Sequence, residues 1–277
     1  MDHFQTIVVG VDFSPYSKIV VKQALALAKG HSAHLVFVNS VNNTSFMAGE
    51  VPLLDIEKEI IKPLTHEIIT FYKLKDLAPG SKVVVNLGRP ANGIIDVAKD
   101  FQTPLIVVGH KGKSTPMGRF FLGSSAEQLA LHSPFPVWIH RGDSVKIPNK
   151  ILLPCDYSSR ATASLEAAKC LKGSKPKYEF FHVTQHPLPV LDAVQWKMAL
   201  RAFKLKENTR QRLFHEKFPR VPLVKRAGDP APLIMKESKK FDLIAMTPHN
   251  REGLFSGFGS VTAKVVRAGD TPILITH

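Results

Sequence analysis

Cysteine is scarce: Cys155 and Cys170 are the only two in 277 residues, too few for a disulfide framework and without metal-ligand spacing. No apolar run reaches the roughly 20 residues of a membrane span. Met1-Asp2-His3-Phe4 leads almost directly into a strand pattern, with no basic segment or cleavable apolar stretch before it. A cytoplasmic protein without a membrane partner is the expectation. Catalytic signatures are missing too. His-Glu-x-x-His, Cys-x-x-Cys, Gly-x-Ser-x-Gly and Gly-Lys-Ser/Thr in P-loop register do not occur, which argues against zinc proteases, nucleophile-elbow hydrolases and Walker-type NTPases. Acidic residues number 23 against 37 lysines and arginines, a net charge of +14. The basic residues form no block of five or six and do not interleave with aromatics. Solvated charged faces therefore explain them better than a nucleic acid does, and no nucleic-acid partner is expected. The same field favours an anionic small ligand.

What is present is ordinary globular material, 44% apolar and 22% charged, long enough for two units of about 140 residues. The chain repeats itself at that scale. TIVVGVDFSPYSK (6–18) matches KILLPCDYSSRA (150–161), so that Asp12, Phe13 and Ser14 correspond to Asp156, Tyr157 and Ser158. LVFVNSV (35–41) matches YEFFHVTQ (178–185), and a later strand in each half runs into Gly-x-Pro, at Gly88-Arg89-Pro90 and Gly228-Asp229-Pro230. FQTPLIVVGH (101–110) matches KFDLIAMTPH (240–249), and Gly123-Ser124 matches Gly259-Ser260. Both halves close with a Pro-containing strand, SPFPVWIH (133–140) and GDTPILITH (269–277). Strands alternating with amphipathic helices at short loop spacing predict an α/β fold, with parallel sheets covered on both faces. The two units span residues 1–141 and 150–277, with a linker near Arg141 to Asn149. Their last strands, Val137 to His140 and Ile273 to His277, are expected to pair and protect each other's edge.

The segment LIVVGHKGKSTPMGRFFLGSS (105–125) carries the clearest chemistry. A buried-strand pattern ends at Val108 and enters Gly109-His110-Lys111-Gly112, and the loop closes at Gly123-Ser124-Ser125 before a helical run. Glycines admit a ligand close to the backbone, and a helix N-terminus offers free N–H groups and a positive dipole end to a phosphate. A glycine-punctuated turn with a serine N-cap is the plainer alternative. The ligand corner of such sheets lies at the carboxyl ends of the strands where strand order reverses. Asp12 and the Gly109 loop both stand at strand carboxyl ends.

On these residues the chain resembles a universal stress protein with two tandem domains. The family's nucleotide-binding members carry Gly-x2-Gly-x9-Gly-Ser/Thr after the fourth strand, an Asp ending the first, and a Gly-x-Pro turn after the third. The resemblance implies two Rossmann-like, doubly wound parallel five-stranded sheets packed as a pseudo-dimer, with a further homodimer allowed. It also implies a stress-response function as a sensor or regulator that binds ATP or AMP, with magnesium as an optional companion. Enzymatic activity would be absent or limited to slow incidental ATP hydrolysis. Gly10, Val11, Asp12, Asn39, Val108 and Gly109 would meet base and ribose, and Gly112, Gly123, Ser124 and Ser125 the phosphates, with Lys111 or Lys113 as an added charge. The chain departs from the pattern in ten residues between Gly112 and Gly123, one more than the family's nine, and in Asn39 where an apolar residue usually meets adenine. The second half departs further, with Thr247-Pro248-His249-Asn250 in place of Gly109 to Gly112, so its loop reads as degenerate. Pro154, Cys155, Asp156, His182 and Val183 keep the look of base-binding strands. Were the first site degenerate as well, the chain would be a scaffold for a protein partner or a lipid-like ligand.

His182 and His186 are four apart but sit on a strand running into Pro187, which suits a structural or exposed pair better than zinc. His31 and His34 read as surface residues. Residues 194–217 form a basic amphipathic pattern in which Trp196, Leu200 and Phe203 recur at helical spacing. A packing stripe with a solvated basic face is the expectation, and a membrane or nucleic-acid surface the alternative. The corresponding stretch of the first half, Ile56 to Leu74, reads as a less basic covering helix.

Overall fold

A computed structural model describes residues 3–41, 56–111, 122–171, 175–185, 193–248 and 259–276. The first half runs β1 (Thr6–Gly10), α1 (Pro15–His31), β2 (His34–Val41), α2 (Lys62–Phe71), α3 (Leu74–Leu77), β3 (Lys82–Leu87), α4 (Pro90–Lys99), β4 (Pro104–Gly109), α5 (Ser124–His132) and β5 (Val137–His140). The second runs β6 (Lys150–Cys155), α6 (Arg160–Lys169), β7 (Lys177–Thr184), α7 (Ala193–Lys217), β8 (Leu223–Ala227), α8 (Pro230–Ser238), β9 (Leu243–Met246), α9 (Ser260–Ala268) and β10 (Ile273–Ile275). The covering stretch expected over Ile56 to Leu74 is not one helix. A π turn at Glu57–Ile61 leads into α2, and Lys73 in the left-handed region breaks the run before α3.

The strands form one sheet in the order β3-β2-β1-β4-β5-β10-β9-β6-β7-β8. Each half is parallel throughout, and the halves meet in an antiparallel pairing of Ile273, Leu274 and Ile275 with Ile139, Trp138 and Val137. The two expected five-stranded sheets are therefore the halves of one ten-stranded sheet. Alternation along the strands feeds two cores. Ile7, Val9, Leu105, Val107, Trp138, Leu274 and Leu153 share one face. Val8, Ile106, Val108, Ile139, Ile273 and Leu152 share the other. Both cores run across the junction without a break.

The same local devices start helices in both halves. Asp12 Oδ1 accepts from the Ser14 N–H at 3.0 Å and Asp156 Oδ1 from the Ser158 N–H at 3.1 Å. These turns hold Phe13 and Tyr157 at φ 59° and 61°, a region that costs energy for a side-chain-bearing residue. Ser14 Oγ then caps α1 by accepting from the Ser17 N–H at 3.0 Å, with Pro15 at the helix start. Ahead of α4 and α8, Gly88 and Gly228 take φ 129° and 141°, which explains a glycine at each Gly-x-Pro turn.

The linker is strapped down. Gln23 of α1, fully buried, donates to the Lys146 carbonyl at 2.8 Å and accepts from the Lys146 N–H at 2.7 Å. Asp242 Oδ2 accepts from the Asn149 and Lys150 N–H groups at 2.9 and 3.0 Å. Gln23→Leu keeps the volume and strands two backbone groups, which is expected to cost about 1–3 kcal/mol. It should also speed proteolysis between Arg141 and Asn149; an unchanged cleavage rate would show the linker is held elsewhere. His31 corrects its surface reading. It is buried and its ring lies 5.7 Å from that of Phe4, because the basic last turn of α1 folds back over the start of β1. His34 is exposed, as expected.

Candidate functional site

Strand order reverses between β1 and β4, where the sheet opens a crevice at its carboxyl end. A cavity of about 230 Å³ lies there. It is lined by Gly10, Val11, Asp12, Asn39, Val108, Gly109, Gly123, Ser124 and Ser125, nine of the ten residues expected at a ligand. The tenth, Gly112, lies outside the described residues, as does Lys113. The lining also includes Ser17, Ser40, Pro90, Ile94 and Lys111. Of these, Pro90 was signalled by its Gly-x-Pro turn and Lys111 by its place in the loop. Ser17, Ser40 and Ile94 carry no mark in the sequence that separates them from core positions.

Two glycines let the walls of the crevice pack closely. A Cβ on Gly10 would stand 2.9 Å from Ile94 Cδ1 and 3.0 Å from Val108 Cγ1. One on Gly109 would stand 3.0 Å from two Tyr16 ring carbons and 3.1 Å from Val20 Cγ2. The loop leaving Gly109 is drawn shut at its base, where the Gly123 N–H donates to the His110 carbonyl at 2.7 Å. Gly123 rather than a serine is the N-cap of α5, and it supplies no side-chain acceptor. The positive end of a helix thus borders the cavity uncapped by a side chain, with Ser124 and Ser125 in its first turn.

Asn39 is buried and its Nδ2 donates to the Val11 carbonyl at 2.7 Å. A carbonyl only accepts, so the amide orientation is fixed and Oδ1 is the acceptor left to a ligand. Asp12 is partly committed as well, since its Oδ1 holds the turn at Ser14. Behind the cavity Tyr16 donates to the His140 carbonyl at 3.1 Å and the Gly142 carbonyl at 3.2 Å. His110 Nδ1 lies 3.0 Å from the Tyr16 hydroxyl and 3.2 Å from the His140 carbonyl. Lys111 Nζ stands 5.0 Å over the Tyr16 ring. Burial, reinforced by Arg141, lowers the His110 pKa to about 4.

The second half keeps a cavity in the same place, of about 300 Å³. Pro154, Cys155, Asp156, His182 and Val183 line it, as does Gly259 at the start of α9. Its chemistry differs at three linked positions. Tyr16, Val20 and Gly109 are replaced by Arg160, Ser164 and Thr247. Ser164 Oγ lies 3.0 Å from Thr247 Oγ1, which lies 2.6 Å from Thr276 Oγ1. Arg160 donates to Asp156 Oδ2 at 2.6 Å. Burial alone would raise the Asp156 pKa, but the bonds from Ser158 and Arg160 outweigh it and hold the carboxyl low. Burial pushes the Cys155 thiol up to about 12, far from a reactive thiolate.

His182 stands where the first half has Asn39. Its Nδ1 donates to the Cys155 carbonyl at 2.9 Å, repeating the Asn39 contact, and its ring stacks on Tyr157 at 4.0 Å. Nε2 is at ion-pair distance from Glu207 Oε1, 2.9 Å, without hydrogen-bond alignment, and Thr184 donates to the same oxygen at 3.0 Å. His182 is thus a structural residue, and His186 lies outside the described residues, as do His249 and Asn250. Among the described residues no group of three His, Cys, Asp or Glu is placed to hold a metal ion, and no helix is long and apolar enough to cross a membrane.

The model of the universal stress protein family matches the chain twice, over residues 3–141 and 148–277. A universal stress protein of Thermus aquaticus is 28% identical over 138 residues, covering 50% of this chain and 99% of its own length. Universal stress protein A of Salmonella typhi is 28% identical over 110 residues, 39% of this chain and 76% of its own. Among solved structures, a universal stress protein from Archaeoglobus fulgidus superimposes with a TM-score of 0.63 at 17% identity, covering 98% of each chain. That likeness extends to the whole two-unit fold.

Proposed function

The chain belongs to the universal stress protein family, and from that premise we propose that it is a cytoplasmic sensor or regulator that binds an adenine nucleotide, ATP or AMP, in its first half. Residues 1–141 form the nucleotide domain and residues 150–277 a partner domain whose loop has lost the task. The observation that carries this reading is the convergence of Gly10, Asp12, Asn39, Gly109, Gly123 and Ser124 on one cavity at the strand-order reversal. The base meets Val11, Val108 and Asn39. Asn39 Oδ1, an acceptor only, favours the exocyclic amine of adenine over the oxo group of guanine. The phosphates meet the first turn of α5, where Gly123, Ser124 and Ser125 supply N–H groups and hydroxyls.

Asp12 is the only carboxylate among the described lining residues, and one of its oxygens already serves Ser14. Any magnesium would therefore ride on the phosphates. The reading is one of binding rather than turnover, with at most slow incidental ATP hydrolysis. In the second half Thr247 replaces the first glycine of the loop, and Pro248 removes a backbone donor.

Isothermal titration tests the assignment. Wild type is expected to bind ATP more tightly than GTP. Gly123→Val, whose backbone at φ −62° suits valine, should weaken ATP at least about tenfold by crowding the phosphate corner. No heat with either nucleotide would leave the non-nucleotide scaffold as the function.

A further inference from the structure

On the inner side of helix α7 Phe214 is buried, and the stripe of Trp196, Leu200 and Phe203 expected to pack is half-buried. Its opposite side is not the plain solvated basic face that the sequence suggests. Val194, Met198, Leu205 and Leu213 are 70%, 67%, 71% and 56% exposed. They are half of the eight large apolar side chains found exposed among the described residues. At about 100° per residue they fall within a single arc of about 100°. Isolated exposed leucines are unremarkable, but an aligned row of four has to be explained.

Charge supplies the second observation. The helix carries seven lysines and arginines against two glutamates. Glu207 is turned inward to His182 and Thr184, and Glu216 lies 3.9 Å from Arg212. Arg212 sits on the edge of the apolar arc beside Val194 and Arg201 just outside that edge, with Lys197 and Lys204 further round on the same side and Lys206 and Arg210 on the other. The outer face is thus cationic and aliphatic together along a helix about 37 Å long.

We propose that the outer face of α7 docks on an anionic lipid surface, with Val194, Met198, Leu205 and Leu213 entering the headgroup boundary and the flanking lysines and arginines meeting lipid phosphates. Basic side chains with long apolar stems suit that geometry, because the stem follows the apolar residues while the charge stays at the phosphate level. A nucleic acid fits less well. Of the aromatic residues of α7, Phe214 is buried and Trp196 and Phe203 are half-buried on the side away from the arc, and the aliphatic row has no use against a phosphate backbone. The helix lies on the surface and does not span it, consistent with its seven charges of one sign.

Co-sedimentation of the full chain with vesicles tests this. Wild type should sediment with phosphatidylcholine vesicles holding about 30 mol % phosphatidylserine, and not with phosphatidylcholine alone. Met198→Glu/Leu205→Glu should lower that binding at least about tenfold, with thermal unfolding unchanged because both residues are exposed. Wild type that ignores the anionic vesicles overturns the proposal, as does equal binding by the variant. Salt-sensitive retention of RNA without vesicle binding would reassign the face to nucleic acid. A concentration-dependent dimer abolished by the same variant, without vesicle binding, would reassign it to a second copy.

Discussion

Arg141→Met is expected to destabilise the fold by about 3 kcal/mol and to separate the unfolding of the two halves. Arg141 follows β5 and is buried, yet its guanidinium donates to the Val266 and Gly269 carbonyls, which end α9 in the other half. Those carbonyls have no partner further along their helix, so a cation at this end satisfies both their bonding and their dipole. Burial lowers the Arg141 pKa to about 10, which leaves the side chain charged at neutral pH. Methionine restores the volume and removes the desolvation cost of the charge, so the remaining loss reports the two carbonyls. Lysine is no substitute, because a point charge cannot span both acceptors as the planar fork does. Urea unfolding followed by two probes is the measurement. Wild type should give one transition, and the variant a lower midpoint with a smaller slope or two steps. A midpoint unchanged within error would show that the clamp contributes little.

Stability should also fall steeply in mild acid. His140, fully buried at the junction, has no hydrogen-bond partner for either ring nitrogen among the described residues. Its pKa is lowered from 6.5 to about 4, by burial first and then by Lys146. His110 is lowered to a similar value, by burial and then Arg141. The unfolded chain takes up these protons near pH 6.5 and the folded chain only near pH 4. The folded state is therefore fully favoured above pH 6.5 and loses ground as pH falls towards 4. Each histidine contributes up to about 3 kcal/mol to that loss. Urea midpoints from pH 7.5 to 4.5 should fall in wild type and fall less in His110→Gln/His140→Leu. Parallel pH profiles would mean that other groups govern the acid limit.

The repeat made much of this architecture legible. Asp12 with Asp156, the two Gly-x-Pro turns and the two Gly-Ser pairs fix where each strand ends, and the strand ends fix the crevice. Gly109 stands out in the sequence by its loop and Gly10 only through the family resemblance, and both line the cavity. Other features depend on distances between segments remote in the chain. Gln23 reads as an ordinary helical residue until Lys146 is brought against it. Arg141 reads as the first residue of a polar linker, although it ends inside the other half. His31 reads as a surface residue because local pattern does not reveal that the Phe4 ring lies against it. The break at Lys73 was hidden by apolar spacing that continues through it. On α7 the inward stripe was plain, whereas four aliphatic residues on the far side are separated widely enough to escape a periodicity search.

The antiparallel meeting of β5 with β10 has a consequence for divergence. When two identical protomers associate about a twofold axis, every substitution occurs twice, and a change that improves one crevice is imposed on the other. Here the two protomer-like units are covalently one molecule, and each half can mutate alone. Tyr16, Val20 and Gly109 keep one crevice in one chemistry, while Arg160, Ser164 and Thr247 commit the other to a hydroxyl chain and an ion pair. The shared sheet conserves the frame while that asymmetry grows. It leaves β3 and β8 as the two outer strands, and these two edges, unlike those of a symmetric pair, are free to differ in sequence.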